Sequence, residues 1–228
     1  MRSPAVGRVA FGDLRRLEPI SREWGFDRGR PIDRYYIERF LHDQAATIAG
    51  RVLEIGDDQY TRRFGANRVH VSDVLHVSEN AKATIVADLT SAPQIPSDTF
   101  DCLILCQTLQ LIFDPGAAVR TIHRVLKNGG VVLATFPGIT QRSDPAWRDT
   151  WYWSFTSSSA RRLFGGVFGD SHVEVTARGN VLTAVAFLHG LALEELTESE
   201  LEFSDPDYEF LITVRAAKHP PNSPQALR

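Results

Sequence analysis

Apolar residues in the first two thirds of the chain form short continuous runs, separated by segments with helical spacing. Runs of this length are typical of strands buried on both faces of a sheet. Five are predicted as strands: 51–55, 69–74, 83–86, 100–106 and 131–136. Residues 59–66 and 117–126 lie between strands and predict helices, the second with Asp114 as N-cap and Pro115 in its first turn. Strands alternating with helices predict an α/β fold, doubly wound around a mostly parallel sheet.

The two ends of the chain do not follow this alternation of strands and helices. Residues 1–30 mix Arg, Pro and Gly with scattered apolar residues and predict a loosely ordered lead-in, after which Pro31 starts a predicted helix to about residue 49. Further predicted elements are a helix over 156–168, a strand over 173–177, a helix over 181–195 interrupted by Gly190, and a strand over 208–216. Residues 218–228, which include several prolines, predict a disordered tail. The folded domain is therefore expected over 31–217.

Composition narrows the class of partner. The 228 residues fit one domain, and 43% of them are hydrophobic, enough for a sizeable core. The formal net charge of -3 supplies no basic field for nucleic acid, so a small-molecule substrate is expected. No apolar run has the roughly 18 to 20 residues of a membrane span, and the N-terminus lacks the apolar core of a signal peptide. We expect a cytoplasmic protein with no membrane partner.

The two cysteines, Cys102 and Cys106, lie four residues apart in one predicted strand. A period of two places both on the same face, which is a poor geometry for a disulfide. No neighbouring His or Cys completes a metal-ligand pattern, so we interpret both as buried small hydrophobes and expect no metal site.

Acidic residues occur at the ends of three predicted strands. In open α/β sheets, ligands bind beyond the carboxyl ends of the strands, where the strand order reverses. The candidate ligand-binding residues at these ends are Glu54, Ile55, Gly56 and Asp57 after the first strand, Asp73 and Val74 after the second, Asp88 and Leu89 after the third, and Cys106 and Gln107 after the fourth.

The turn after the first predicted strand argues against a dinucleotide cofactor. A dinucleotide site needs a G-x-G-x-x-G turn whose backbone N–H groups meet a pyrophosphate, whereas this turn has one glycine and would repel phosphates through Asp57 and Asp58. S-adenosylmethionine carries no phosphate. Its sulfonium and ammonium groups are positively charged, so acidic side chains in this turn are compatible with it. Asp73 follows Glu54 by 19 residues, close to the interval at which an acid binds ribose hydroxyls, although each strand-end acid is about as often a turn or helix cap.

The same segments resemble the class I, Rossmann-like, S-adenosylmethionine-dependent methyltransferases over roughly residues 30 to 216. The resemblance implies a seven-stranded sheet with an antiparallel last strand. It also implies that Glu54 and Gly56 line the methionine end of the cofactor, Asp73 the ribose, and Asp88 with Leu89 the adenine. It rests on V-L-E-I-G at 52–56, the acid at Asp73, A-D-L at 87–89, F-D-C-L-I-L-C-Q-T-L-Q at 100–110, and H-R-V-L-K-N-G-G at 123–130.

The turn after the first strand departs from the usual E/D-x-G-x-G-x-G of that family. Asp58 and Tyr60 replace its second and third glycines. Two alternatives to a methyltransferase therefore stay open: a binding or scaffold protein without turnover, and an enzyme of this fold that catalyses another reaction, such as a cyclisation. A subset associated with bacterial carbohydrate and natural-product pathways is similar across R-P-I-D-R-Y-Y-I-E-R-F-L, G-D-D-Q-Y-T-R-R-F-G and S-D-V-L-H-V, which favours a native variant.

An aromatic cluster after the fifth strand is the candidate acceptor site. Trp147, Trp151 and Tyr152 are expected to wall a pocket for a small polar or glycosylated acceptor, and the alternatives are a buried brace or a homodimer contact. Methyl transfer needs no obligatory base, but O-methylation benefits from one. His76 is the first candidate base and Asp149 the second, although a loop histidine is more often only solvated. Tyr35, on the helix before the first strand, is expected to close over the cofactor.

Overall fold

The computed structural model describes residues 4–219, which form a seven-stranded sheet in the order β3-β2-β1-β4-β5-β7-β6. All neighbouring strands are parallel except β7, which is antiparallel to β5 and β6. The predicted α/β, doubly wound, mostly parallel sheet with an antiparallel last strand is confirmed. The strands are β1 (Gly50–Ile55), β2 (Val69–His76), β3 (Ile85–Val86), β4 (Phe100–Cys106), β5 (Leu126–Pro137), β6 (Val173–Arg178) and β7 (Leu211–Ala217).

Five helices cover the two faces of the sheet. The side chain of Asp114 accepts a hydrogen bond from Ala117 N at 2.8 Å, and Thr156 and Ser159 cap the next helix reciprocally. Both starts are where the cap residues predict them. The helix after Thr197 is not predicted from the sequence. The helices are α1 (Ile32–Asp43), α2 (Pro115–Val125), α3 (Ser157–Phe168), α4 (Val181–Leu188) and α5 (Glu198–Glu202).

Alternate residues of the central strands enter two different hydrophobic layers. Leu53 and Leu103 pack with α2 and α3 on one face, whereas Val52 and Cys102 pack with α1 and α4 on the other. Cys106 packs in the same layer as Cys102, as the period of two predicts. Burial on both faces explains why the strands appear in the sequence as continuous apolar runs.

Strand β2 is longer than the sequence predicts. It runs to His76, two residues past the predicted end at Val74, because Leu75 and His76 pair with Ile85 and Val86 of β3. The segment before it is helical, as predicted over residues 59–66, and consists mainly of the π-helical turn Thr61–Gly65 followed by the 3-10 turn Ala66–Arg68. The extension moves the carboxyl end of β2 from the predicted Val74 to His76.

Both flanks of the predicted domain take part in the fold. The N–H groups of Ile20 and Ser21 donate to His189 O at 2.9 and 3.0 Å, and Arg28 pairs with Glu195 at 2.7 Å. Part of the 1–30 lead-in is therefore anchored to the segment after α4. Lys218 is also held, since its Nζ donates to Leu126 O at 2.7 Å. The predicted tail from residue 220 onward lies outside the described residues.

Candidate active site

A cavity of about 1470 Å³ lies at the carboxyl edge of the sheet. It is lined by Gly56 after β1, His76 at the end of β2, Asp88 after β3, Gln107 after β4 and Pro137 at the end of β5. The strand order reverses between β1 and β4, so this is the crevice where doubly wound sheets bind ligands. Pockets for one small molecule typically measure about 300 to 1,000 Å³, so this one has room for two.

The cavity brings together most of the predicted site residues. Trp147, Trp151 and Tyr152, which follow β5 in the chain, line it as well. The predicted residues that do not line it are Tyr35, Asp73, Val74 and Asp149. Those that do are Glu54, Ile55, Gly56, Asp57, His76, Asp88, Leu89, Cys106, Gln107, Trp147, Trp151 and Tyr152.

Asp73 and Val74 lie inside β2, short of the edge. Asp73 pairs in register with Leu53 of β1 and is 8% exposed. Its carboxylate binds Arg51 Nε at 2.7 Å and Thr84 Oγ1 at 3.1 Å, away from the cavity. The predicted ribose role of Asp73 is thus not supported by its position, because the strand continues three residues further.

Tyr35 and Asp149 also lie outside the cavity. The Tyr35 hydroxyl donates to Glu202 and accepts from Arg39, on a side of α1 that faces a separate small depression. Asp149 is exposed on the 3-10 turn Arg148–Thr150. Neither side chain is placed to close over a cofactor or to act as a base.

Glu54 organises the glycine-poor turn after β1. Its carboxylate accepts hydrogen bonds from Thr61 N at 2.7 Å and Tyr60 N at 3.2 Å, and the residue is 3% exposed. Burial raises the pKa of this carboxyl to about 7, against the lowering effect of the hydrogen bonds. Gly56 has φ +92°, a conformation that the turn requires and that other residues rarely adopt.

A charged cluster next to this turn was missed by the sequence analysis. Arg34 Nη1 donates to the hydroxyl of Tyr60 at 3.1 Å, and the Arg34 Nε lies 3.8 Å from Asp33 Oδ1. Asp33 Oδ1 is buried without a hydrogen-bond partner, and burial raises the pKa of its carboxyl. All three residues line the cavity. The only sequence signal was Tyr60, which stands at a position usually held by glycine.

His76 and Asp88 occupy the next two strand ends. His76 Nε2 lies 2.6 Å from Gly56 O, so Nε2 carries the proton and Nδ1 is the other ring nitrogen available for bonding. Asp88 Oδ1 accepts from the N–H and the hydroxyl of Thr90, both at 2.8 Å. Asp88 therefore caps its turn, one of the alternatives open from the sequence, and also faces the cavity.

The aromatic wall is joined to the loop after β4. Tyr152 N donates to Gln110 O at 2.8 Å, and Trp153 Nε1 donates to Ile112 O at 2.9 Å. Trp24 and Phe26 of the lead-in also line the cavity, although they were not predicted as site residues. They reach it because the preceding residues, Ile20 and Ser21, are anchored to His189.

The described part of the chain shows no group of three or more His, Cys, Asp or Glu side chains arranged to hold a metal ion. Burial raises the pKa of the Cys106 thiol to about 12, so that the thiol keeps its proton and is a poor nucleophile. Within residues 4–219, no helix has both the length and the apolar character needed to cross a membrane.

Comparison with known proteins agrees with this geometry. Residues 52–134, which contain most of β1, all of β2 to β4 and most of β5, match the family model for a methyltransferase domain. The match covers 83 of the 228 residues, and over that segment the chain is similar to a methyltransferase domain. The ubiquinone/menaquinone biosynthesis C-methyltransferase of Marinomonas sp. (strain MWYL1) is 33% identical over 88 residues, which is 39% of this chain and 30% of that protein. The match spans less than a third of the relative's length.

Two solved structures share the fold of this chain. An S-adenosylmethionine-dependent methyltransferase from Archaeoglobus fulgidus aligns with a TM-score of 0.55 and 13% identity, covering 81% of this chain and 94% of that one. The cyclase SpnF aligns with a TM-score of 0.55 and 16% identity, covering 84% and 83%. At these identities, the likeness concerns the fold alone.

The side chains around the turn after β1 fit S-adenosylmethionine better than a phosphate-bearing cofactor. The unpaired, buried Asp33 Oδ1 can accept from an ammonium, and the neighbouring Arg34 guanidinium can bind a carboxylate. Asp57 adds a further carboxylate to the lining. This donor set matches a zwitterionic amino-acid end attached to a cationic sulfur.

Proposed function

We propose that the chain transfers a methyl group from S-adenosylmethionine to an oxygen atom of a small, uncharged acceptor. The observation that carries the proposal is the cavity at the switch point, which has room for two small molecules and has acidic side chains where a dinucleotide site would have a phosphate cradle.

The methionine end of the donor is assigned to the side of the cavity formed by α1 and the turn after β1. Asp33 and Glu54 would face the ammonium, and Arg34 would bind the carboxylate. Glu54 already accepts two backbone hydrogen bonds, so Asp33, with its unpaired oxygen, is the stronger contact.

The nucleoside is assigned to the ends of β2 and β3. His76 lies where a strand-end acid would meet the ribose, and we assign the ribose contact to His76 in place of Asp73. Leu89 offers an apolar surface for the adenine ring, and Asp88 an acceptor for its amino group. With Nε2 engaged by Gly56 O, Nδ1 is the acceptor nitrogen of His76, and we assign it to a ribose hydroxyl.

S-adenosylmethionine, when bound, supplies a methyl carbon activated by its sulfonium. The contribution of the protein is to hold both reactants in line and to exclude water, which can supply most of the rate enhancement. The aromatic side chains that line the cavity form the apolar walls that do this: Trp24, Phe26, Trp147, Trp151 and Tyr152. A small polar or glycosylated molecule that offers both an apolar face and hydroxyl groups suits these walls.

The test is calorimetric titration with S-adenosylhomocysteine, using NAD as the phosphate-bearing control. We expect binding of the first and none of the second, because Asp57 repels a pyrophosphate. A folded protein that gives no heat with S-adenosylhomocysteine would sink the proposal. Binding without release of S-adenosylhomocysteine from the methyl donor across a screen of hydroxylated acceptors would favour a scaffold protein or a non-methylating enzyme.

A further inference from the structure

Buried polar atoms without a hydrogen-bond partner concentrate at one wall of the cavity. Among the described residues, nine buried side-chain nitrogen or oxygen atoms are unpaired, and four of them belong to residues that line the cavity. Asp33 is one, at the proposed donor end. The other three are Gln107 Nε2, Gln110 Oε1 and Trp151 Nε1. Such groups are rare in native proteins and call for a partner.

The chemistry of two of these atoms is fixed by their surroundings. Gln110 Nε2 donates to Gln107 O at 2.8 Å, so the other end of this amide is the oxygen, an acceptor. Trp151 Nε1 is an indole nitrogen and can only donate. Gln110 is 2% exposed, and a buried donor or acceptor that lacks a hydrogen bond costs about 1 to 3 kcal/mol of stability.

A backbone hydrogen bond links the two segments that carry these side chains. Tyr152 N donates to Gln110 O, which ties the residue after Trp151 to the loop that carries both glutamines. Gln107 has φ +49°, unusual for a residue other than glycine, and its N–H donates to Thr135 O at 3.0 Å. Backbone strain of this kind persists where the surrounding structure enforces it, commonly at ligand sites.

We propose that Gln107, Gln110 and Trp151 form a subsite for a neutral hydroxyl group of the methyl acceptor. A hydroxyl donates one hydrogen bond and accepts others, so it pairs with Gln110 Oε1 and Trp151 Nε1 together. A carboxylate or phosphate has no proton for Gln110 Oε1, and the cavity carboxylates Asp114 and Asp144 further disfavour an anion. Arg142 donates to Trp151 O at 3.2 Å but does not line the cavity.

The inference rests on the proposed function only where it identifies the ligand as the methyl acceptor. The preference for a neutral hydroxyl group comes from the unpaired atoms themselves. Neither unpaired atom is reachable by water in the chain as it stands, although both side chains line the cavity through their other atoms. Binding therefore includes a small side-chain shift that opens the two atoms to the hydroxyl. The recognised hydroxyl need not be the one that receives the methyl group.

Three ring compounds of similar size test this subsite: benzyl alcohol, toluene and benzoate. They are titrated into ¹⁵N-labelled protein while the indole N–H signals are followed by NMR, with the Trp151 signal assigned from Trp151→Phe. We expect benzyl alcohol to move the Trp151 signal and to bind roughly fivefold more tightly than toluene, as one net hydrogen bond predicts. Benzoate should bind more weakly than both.

Two variants and a matched control complete the experiment. In Gln110→Met and in Trp151→Phe, the preference for benzyl alcohol over toluene should largely disappear while toluene binding persists. Trp153→Phe is the control, because the Trp153 indole is already bonded to Ile112 O, and it should keep the preference. A Trp151 signal that benzyl alcohol does not move, or a preference that survives in both variants, would overturn the subsite.

A parallel titration with S-adenosylhomocysteine separates this proposal from the proposed function. If S-adenosylhomocysteine binds but benzyl alcohol shows no preference, only the subsite fails. If the preference is present and S-adenosylhomocysteine does not bind, the methyltransferase proposal fails and the hydroxyl subsite stands.

Discussion

The imidazole Nε2 of His76, at the end of β2, lies 2.6 Å from the carbonyl oxygen of Gly56, just after β1. This contact fixes the ring beside the turn that follows β1 and determines which nitrogen carries the proton. It also makes His76 the β2 side chain at the position where Asp73 was expected to act.

His76→Ala should weaken the binding of S-adenosylhomocysteine by about 1 kcal/mol, roughly fivefold in Kd, through loss of one hydrogen bond to the ribose. Calorimetric titration measures the change. Asp73→Asn is the matched control and should leave the affinity unchanged, because the Asp73 carboxylate binds Arg51 and Thr84 away from the cavity. The reverse pattern would restore Asp73 as the ribose contact.

Glu54 should make the protein less stable as the pH rises. Its folded pKa of about 7 is above the ordinary 4.5, so the folded state holds a proton that the unfolded state releases between these values. Stability from this group is present below about pH 4.5 and is lost as the pH rises to about 7, a change on the order of 3 kcal/mol.

Denaturant unfolding at both ends of this pH range, with and without Glu54→Gln, measures the effect. The variant should lose this part of the pH dependence, and it should be less stable at low pH because its amide N–H₂ replaces an acceptor facing Tyr60 N or Thr61 N. Glu79→Gln, at an exposed position, is the control and should keep the wild-type slope. An unchanged slope in Glu54→Gln would show that the titration belongs to another group.

Asp33→Asn should weaken binding of S-adenosylhomocysteine by roughly tenfold, because the amide removes the negative charge that faces the ammonium. The matched ligand is 5′-methylthioadenosine, which has the nucleoside but neither the ammonium nor the carboxylate. Its affinity should be unaffected in Asp33→Asn. Equal losses for both ligands would place Asp33 near the nucleoside or in a structural role.

Gly190→Ala should destabilise the fold by about 3 kcal/mol. Gly190 has φ +71°, and a Cβ there would lie 2.4 Å from the backbone oxygen of Ser21, so left-handed strain adds to a steric clash. Gly129→Ala is the control, since its φ is +82° but nothing lies within 4 Å, and it should cost only about 1 kcal/mol. Urea unfolding compares the two variants, and similar losses would show that the Ser21 contact is unimportant.

Strands and helix starts followed from local patterns. The runs at 51–55 and 100–106 predicted buried strands because the sheet is covered on both faces, and Asp114 and Thr156 predicted helix starts because capping depends on neighbours three residues away. The helix predicted over 181–195 ends instead at Leu188, where Gly190 turns the chain toward Ser21.

The sequence by itself determined the sheet, the acidic turn after β1 and the aromatic wall, because each depends on residues close together in the chain. Tertiary structure decided which side chains meet the cavity. Pairing with β3 extends β2 and moves the strand end from Val74 to His76, and anchoring to His189 brings Trp24 and Phe26 to the cavity. These contacts join residues that are distant in sequence, so no local periodicity encodes them.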